Sequence, residues 1–345
     1  MKLSIVFMCF FISISTCMQI CNHGEIKITK EKFTQPPVIG ILTLPLESDD
    51  RYQPANWTRI STSYIKYVEA AGAVAVPIYY NHTYEDLKAL LHKLNGVLFT
   101  GGAVGFFNSD ADGSVSFFDS ITQSYSDLGR TANYIYQEAI KMNENGIHFP
   151  LWGTCMGHQL IMTIESRKMD IIIKSSPRMD LPDSLNFLFT DKSNTRLFQD
   201  FSDEFMKALE TLPLTYNAHN YALWKSEFYK YDNLVSNYTI LSTNIDDNGV
   251  EYVSSTEHKK YPFYTVQFHP EVSISKFNEP TVPHSSEAID LAYLMAEKLV
   301  NEAKLNSNSF SNYQEMISAT VEGSGFDEIV MEKLTETTYF KYAFP

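Results

Sequence analysis

The sequence predicts an α/β fold with a mostly parallel central sheet. Three observations carry that reading. Short apolar runs alternate with segments of helical periodicity through the first half, the pattern that parallel strands joined by crossover helices produce. The second half is richer in β-type runs, and no Pro-, Gly- or Ser-rich linker separates the halves, so one domain accommodates both. The chain has 345 residues, 44% hydrophobic and 20% charged, which is enough for one large core. No internal repeat suggests a solenoid or propeller.

The chain opens on an apolar run after Lys2 that is too short to span a bilayer comfortably. Small residues Ser13, Ser15 and Thr16 close it, so residues 1–17 read as a secretory signal peptide. The domain is expected over 34–305. An apolar run after prolines marks a buried strand at 37–42. Tyr64, Ile65, Tyr67 and Val68 lie near helical spacing in 61–71, and Gly72 closes that helix. Residues 74–78 form the next strand. Thr83 and Asp86 fit a helix start, with Leu87, Leu90, Leu91 and Leu94 on one face. A strand at 96–99 ends in Thr100-Gly101-Gly102, a long helix spans about 129–143, and a strand at 150–152 enters Gly153-Thr154-Cys155-Met156-Gly157. Further strands are expected at 171–174, 186–190, 238–244, 250–255 and 264–268, then a helix over about 286–305. Residues 306–345 read as a tail to which the sequence assigns no role.

The net charge of −14 argues against a nucleic-acid partner, because phosphate binding needs a basic surface. Three Asn-x-Thr sequons, at Asn56, Asn81 and Asn237, agree with a secretory route and are candidate glycosylation sites. Of four cysteines, Cys9, Cys17 and Cys21 lie in or beside the leader. Cys155 alone is interior, so there is no internal disulfide framework and its reactivity becomes the question.

Gly153-Thr154-Cys155-Met156-Gly157 has the form Gly-x-nucleophile-x-Gly between a strand and a helix-like run. Flanking glycines permit a sharp turn around a strained nucleophile. A cysteine at a helix N-terminus gains thiolate character from the dipole. Far along the chain, His269-Pro270-Glu271 follows a strand. His269 is the candidate base, Glu271 its orienting carboxylate, and Pro270 restricts the backbone between them. The Gly101-Gly102 turn lies at the end of a strand expected beside the elbow strand. The backbone N–H groups of Gly102 and Met156 are therefore the candidate oxyanion donors. No cluster has zinc-ligand spacing, and neither a metal nor a cofactor is expected.

A strand ending in Gly-Gly, a Gly-x-Cys-x-Gly elbow and a distant His-Pro-Glu together resemble the class I glutamine amidotransferase superfamily. Within it the chain is similar to the γ-glutamyl hydrolase family. The segments that carry this are Val38-Ile39-Gly40-Ile41-Leu42, Ser63-Tyr64-Ile65-Lys66-Tyr67-Val68-Glu69-Ala70-Ala71-Gly72-Ala73, Pro150-Leu151-Trp152-Gly153-Thr154-Cys155, Thr215-Tyr216-Asn217-Ala218-His219, Tyr261-Pro262-Phe263-Tyr264 and Val300-Asn301-Glu302-Ala303-Lys304. The resemblance covers about residues 37–310. It implies a three-layer sandwich and hydrolysis of γ-glutamyl bonds in folylpoly-γ-glutamates through a thioester. It also implies a secreted, lysosomal or vacuolar address. His219 matches a histidine of the family's substrate cleft, and Gln159 is assigned to the glutamate moiety. One departure is His158-Gln159, where the family more often has Phe-Glu, which bears on substrate preference.

The alternatives are a glutaminase-like amidase releasing ammonia, and a catalytically inactive secreted binding protein on the same fold. The expected partner is a small-molecule polyglutamate, with no nucleic acid and no membrane after leader removal; a homodimer is left open. An anionic substrate is repelled by an acidic chain unless local cations intervene. The segment 167–196, with Arg167, Lys168, Lys174, Arg178, Lys192 and Arg196, is the candidate basic patch. His219 is expected to add a cation in a mildly acidic compartment.

Overall fold

The computed structural model describes residues 35–45, 57–104, 125–168, 171, 175–330 and 337–342. The signal-peptide reading and Asn56 lie outside these residues. In chain order the elements are β1 (Val38–Leu42), β2 (Leu44–Pro45), β3 (Trp57–Ser61), α1 (Thr62–Ala70), β4 (Val74–Ile78), α2 (Tyr84–Leu91), β5 (Gly96–Phe99), α3 (Asp127–Glu144), β6 (Leu151–Thr154) and α4 (Met156–Ser166). There follow β7 (Ser175–Asp183), β8 (Asn186–Phe187), α5 (Asp203–Thr211), β9 (Thr215–Tyr221), two short helical turns, β10 (Tyr238–Ile245), β11 (Glu251–His258) and β12 (Phe263–Val266). The chain ends with α6 (Ser286–Ala303), α7 (Tyr313–Ala319), β13 (Asp327–Val330) and β14 (Thr337–Tyr342).

Helix starts follow side-chain chemistry. Ser61, Thr83, Ser126 and Ser285 each accept a backbone N–H of the first turn of α1, α2, α3 and α6. The main sheet runs β4-β1-β5-β6-β12-β11-β10-β8. Its first five strands are parallel and its last three antiparallel. Strand periodicity divides the core between the two faces. Val38, Val97, Phe99, Leu151 and Phe263 pack on one face with Leu87 and Leu91 of α2, Ile135 of α3 and Leu160 of α4. Ile39, Ile41, Leu98, Trp152 and Tyr264 pack on the other with Tyr67 of α1 and Leu291, Met295 and Leu299 of α6. This is the three-layer α/β arrangement expected from the sequence.

Four details differ from expectation. Residues 172–174 lie outside the described residues, and the strand of that region is β7, which pairs antiparallel with β9. The strand expected over 186–190 shrinks to Asn186–Phe187. The sequence reading also missed α5 and the strand character of β9. Finally, the domain does not end at 305. Pro36–Pro345 forms one compact unit. Phe310 and Met316 are buried in one core layer, and Val321 and Phe326 in the other. β14 pairs with β3, placing Phe340 opposite Arg59. The polarity of 306–313 disguised this attachment, because much of it is made by side-chain amides.

Asn95 is the pivot of that attachment. Its Oδ1 accepts the Val38 N–H at 2.7 Å, and its Nδ2 donates to the carbonyls of Asn306 and Asn308 at 3.1 and 2.8 Å. Replacing it leaves buried backbone groups without partners. Asn95→Ala is expected to lower the unfolding free energy by about 1–3 kcal/mol in denaturant titration. An unchanged midpoint would show that this side chain does not anchor 306–308.

Candidate active site

Cys155 sits between β6 and α4 at φ 51°, ψ −106°, in the left-handed half of backbone space that a non-glycine residue seldom occupies. Such a conformation costs on the order of 1–3 kcal/mol and persists only where its surroundings impose it. Here they do. The Cys155 N–H donates to the carbonyl of Val266 in β12 at 2.8 Å, extending the β6–β12 ladder. A Cβ at Gly157 would lie 2.2 Å from the Phe99 carbonyl oxygen, and one at Gly153 would lie 2.7 Å from the Gly157 oxygen. The two glycines therefore allow α4 to start hard against β5 and β6.

The partner strands deliver the other groups. β5 lies beside β6, as expected, and its end carries Thr100, Gly101 and Gly102 into the site. A Cβ on Gly101 would lie 2.6 Å from Tyr64 Oη, 2.7 Å from His269 Cε1 and 3.3 Å from Cys155 Cβ, so four groups converge on one point. Tyr64 Oη accepts the Gly101 N–H at 2.6 Å. That contact occupies the Gly101 amide and makes Gly102 the next donor along the loop. Gly102 also packs against the Met156 side chain.

β12 leads into His269, whose N–H donates to the Tyr216 carbonyl at 2.8 Å. Pro270 opens a 3-10 turn, Pro270–Ile274, that holds Glu271 beside the ring. His269 Nδ1 donates to Glu271 Oε1 at 2.8 Å, while Tyr64 Oη lies 3.5 Å from the same nitrogen. The other ring nitrogen is the one left to serve the Cys155 sulfur. Burial opposes a charge on His269, yet the charges of Cys155 and Glu271 outweigh it and push the imidazole up to about 10. Tyr64 moves well above its ordinary value, first through burial and then through the charges of Glu271 and Cys155, so its hydroxyl stays protonated.

Cys155, His269, Glu271 and Gly102 line one cavity of about 250 Å³. Arg59 and Lys276 line it too, and the sequence reading missed both. Nothing in a lone arginine of a short strand, or a lysine after a 3-10 turn, marks it as a site residue before the chain is folded. Tyr64 was read only as part of an apolar helix face.

Two substrate assignments change. Gln159 is buried, and its Nε2 donates to the Tyr221 carbonyl at 2.7 Å and to Gln267 Oε1 at 3.2 Å. Its amide thus ties α4 to β9 instead of facing the cavity. His158 is likewise a core residue, its Nδ1 2.7 Å from Thr265 Oγ1, so the His158-Gln159 departure does not alter the cavity lining. His219 is buried with Nδ1 donating to the Ser176 carbonyl at 3.0 Å, and its neighbour Ala218 lines the cavity instead. Burial first, and the nearby charge of His269 second, lower His219 to about 4. It is therefore neutral between pH 5 and 7 and does not supply the expected cation.

Three cations of the expected basic patch are engaged within the protein. Arg178 is held by Asp183 at 2.7 Å and Asp247 at 2.8 Å, and Lys192 by Asp203 at 2.8 Å. Arg196 donates to the carbonyls of His258 and Tyr261. Lys174 lies outside the described residues. Of the described sequons, Asn81 has its Nδ2 buried, and Asn237 Nδ2 donates to Glu165 Oε1 at 2.6 Å. Among the described residues no His/Cys/Asp/Glu group is arranged to hold a metal, and no helix is long and apolar enough to cross a membrane.

Comparison with known proteins adds independent findings. The chain matches the Peptidase C26 family over residues 37–174 and the class-I glutamine amidotransferase family over residues 126–284. It is similar to gamma-glutamyl hydrolase 1 of Arabidopsis thaliana, 32% identical over 85% of this chain and 82% of that protein. It is 31% identical to the gamma-glutamyl hydrolase of Homo sapiens over 88% of this chain and 89% of the relative. The Mus musculus enzyme of the same name is 33% identical over 84% of this chain and 82% of that protein.

The charge balance at His269 has a consequence for stability. Its folded value, about 10, lies above the roughly 6.5 of an exposed imidazole. The stabilisation is thus complete below about pH 6.5 and is lost as pH rises through about 10. Denaturation between pH 7 and 10 is expected to show wild type losing stability faster than Cys155→Ala, which lacks one of the two anions. An imidazole that titrates by NMR at or below about 6.5 would refute this ion pairing.

Proposed function

The chain belongs to the γ-glutamyl hydrolase family, and on that premise we propose that it hydrolyses folylpoly-γ-glutamates through a thioester on Cys155. Members of the family are cysteine-type γ-glutamyl hydrolases, and this chain is a hydrolase of that type. The observation that carries the finer reading is the meeting of Cys155, His269, Glu271 and Gly102 in one cavity around a strained elbow.

The Cys155 thiolate attacks the γ-carbonyl carbon. Negative charge moves to the carbonyl oxygen, where the N–H groups of Gly102 and Met156 stabilise it. Imidazolium His269 gives its proton to the departing α-amine, the C–N bond breaks, and a thioester remains. Forming the thioester removes the sulfur's negative charge, one of the two that hold His269 protonated. The affinity of the ring for a proton falls at the stage when a base is required. Neutral His269 takes a proton from water, the hydroxide adds to the thioester, and collapse expels the thiolate and frees the acid. Glu271 keeps Nδ1 protonated and the ring oriented throughout.

The cavity is smaller than the roughly 300–1,000 Å³ usual for drug-sized ligands. It suits the residue at the scissile bond, with the rest of a polyglutamate outside. The leader-like residues 1–17 support a secretory, lysosomal or vacuolar route.

Incubation with a folate pentaglutamate, following products over time, tests this reading. Release of glutamate or glutamyl peptides is expected, whereas ammonia from glutamine would favour a glutaminase. Cys155→Ala is expected to keep the fold and abolish turnover. Glu271→Gln should reduce kcat less than His269→Ala, because the histidine itself moves the proton. Full activity in Glu271→Gln would remove the carboxylate from the mechanism.

A further inference from the structure

The cavity holds more positive charge than the catalytic group requires. Beyond Cys155, His269 and Glu271, its lining carries Arg59 and Lys276. Arg59 Nε is buried and has no hydrogen-bond partner among the described residues. Arg59 is not in ion-pair contact with Glu271, whose Oε1 is taken by His269. A guanidinium offers five N–H donors in a rigid fork, and one left buried without an acceptor leaves room for a ligand's acceptor. β3, which carries Arg59, is braced by β2 on one side and β14 on the other, so the guanidinium stands on a positioned strand.

Resting on the γ-glutamyl reading, we infer that Arg59, assisted by Lys276, binds the α-carboxylate of the glutamyl residue whose γ-carbonyl meets Cys155. A γ-linkage leaves each residue's α-carboxylate free, and that group distinguishes a γ-glutamyl chain from an ordinary peptide. It stands four bonds from the reacting carbon, about 5 Å when extended. A planar carboxylate matches the fork of an arginine, and Lys276 adds a point charge. The setting makes such a subsite consequential. The chain carries a net charge of −14, Arg178 and Lys192 of the 167–196 segment are held by carboxylates, and His219 is neutral near pH 7. Capture of an anionic residue therefore depends on cations inside the cavity. The same subsite rejects a residue whose α-carboxylate is amidated.

The test uses full-length protein and two substrates, γ-glutamyl-p-nitroanilide with a free α-carboxylate and its α-carboxamide. Wild type is expected to prefer the carboxylate by about 100-fold in kcat/KM. Arg59→Gln should cut that preference by about 10- to 100-fold and Lys276→Gln by about 3- to 10-fold, with Arg59→Lys between wild type and Arg59→Gln. A second measurement needs no turnover: the rate of Cys155 alkylation by iodoacetate relative to neutral iodoacetamide. That ratio should fall in Arg59→Gln and in Lys276→Gln. Unchanged ratios in both variants, or equal losses on both substrates, would overturn the subsite. Wild type that hydrolyses neither substrate while Cys155 still alkylates would overturn the γ-glutamyl reading itself, and the subsite with it. Turnover of both with no preference would overturn the subsite alone.

Discussion

The structure depends on the backbone of one residue. Cys155 is held at positive φ between a strand and a helix, and neighbouring parts of the fold serve to keep it there. β12 accepts its amide proton, and β5 comes close enough that only glycine fits at position 157. The same two strands run on to deliver Gly101-Gly102 from one side and His269 from the other. Parallel neighbours end at the same edge of a sheet, so Cys155, His269 and the Gly101-Gly102 turn reach one point from three distant places in the chain.

Charge is the second constraint. Burial opposes a charge on His269, but its neighbours Cys155 and Glu271 raise it. Tyr64 closes this arrangement from α1. Its hydroxyl holds the Gly101 amide and stands beside the imidazole. The side chain that packs the helix against the sheet thereby also sets the loop that leads to Gly102. His219 and Gln159 show the opposite case. One nitrogen of each is engaged by a backbone carbonyl of a neighbouring strand, His219 Nδ1 by Ser176 and Gln159 Nε2 by Tyr221, which ties the wall of the site together.

Residues 306–345 belong to the same logic. Asn95 secures their start under β1, buried aromatic and aliphatic side chains seat them on both core layers, and β14 pairs with β3. A strand of only five residues gains a second neighbour in this way. The strand that bears Arg59 is thus paired on both sides.

The sequence by itself determined the parallel half of the fold, the elbow and the His-Pro-Glu turn. Each is written in local terms: short continuous apolar runs, glycines flanking a cysteine, and a proline between histidine and carboxylate. It also carried enough ordered motifs to indicate the family. Only the tertiary structure decided which polar residues face the cavity. Gln159 and His219 follow the cleft pattern in sequence, yet partners 62 residues away for Gln159 and 43 away for His219 turn them into core contacts. Arg59 has no local signature at all. It becomes a site residue because β2 and β14 hold its strand beside the end of β5. The role of a polar side chain is set by what surrounds it in space, and those neighbours come from segments that the linear order leaves far apart.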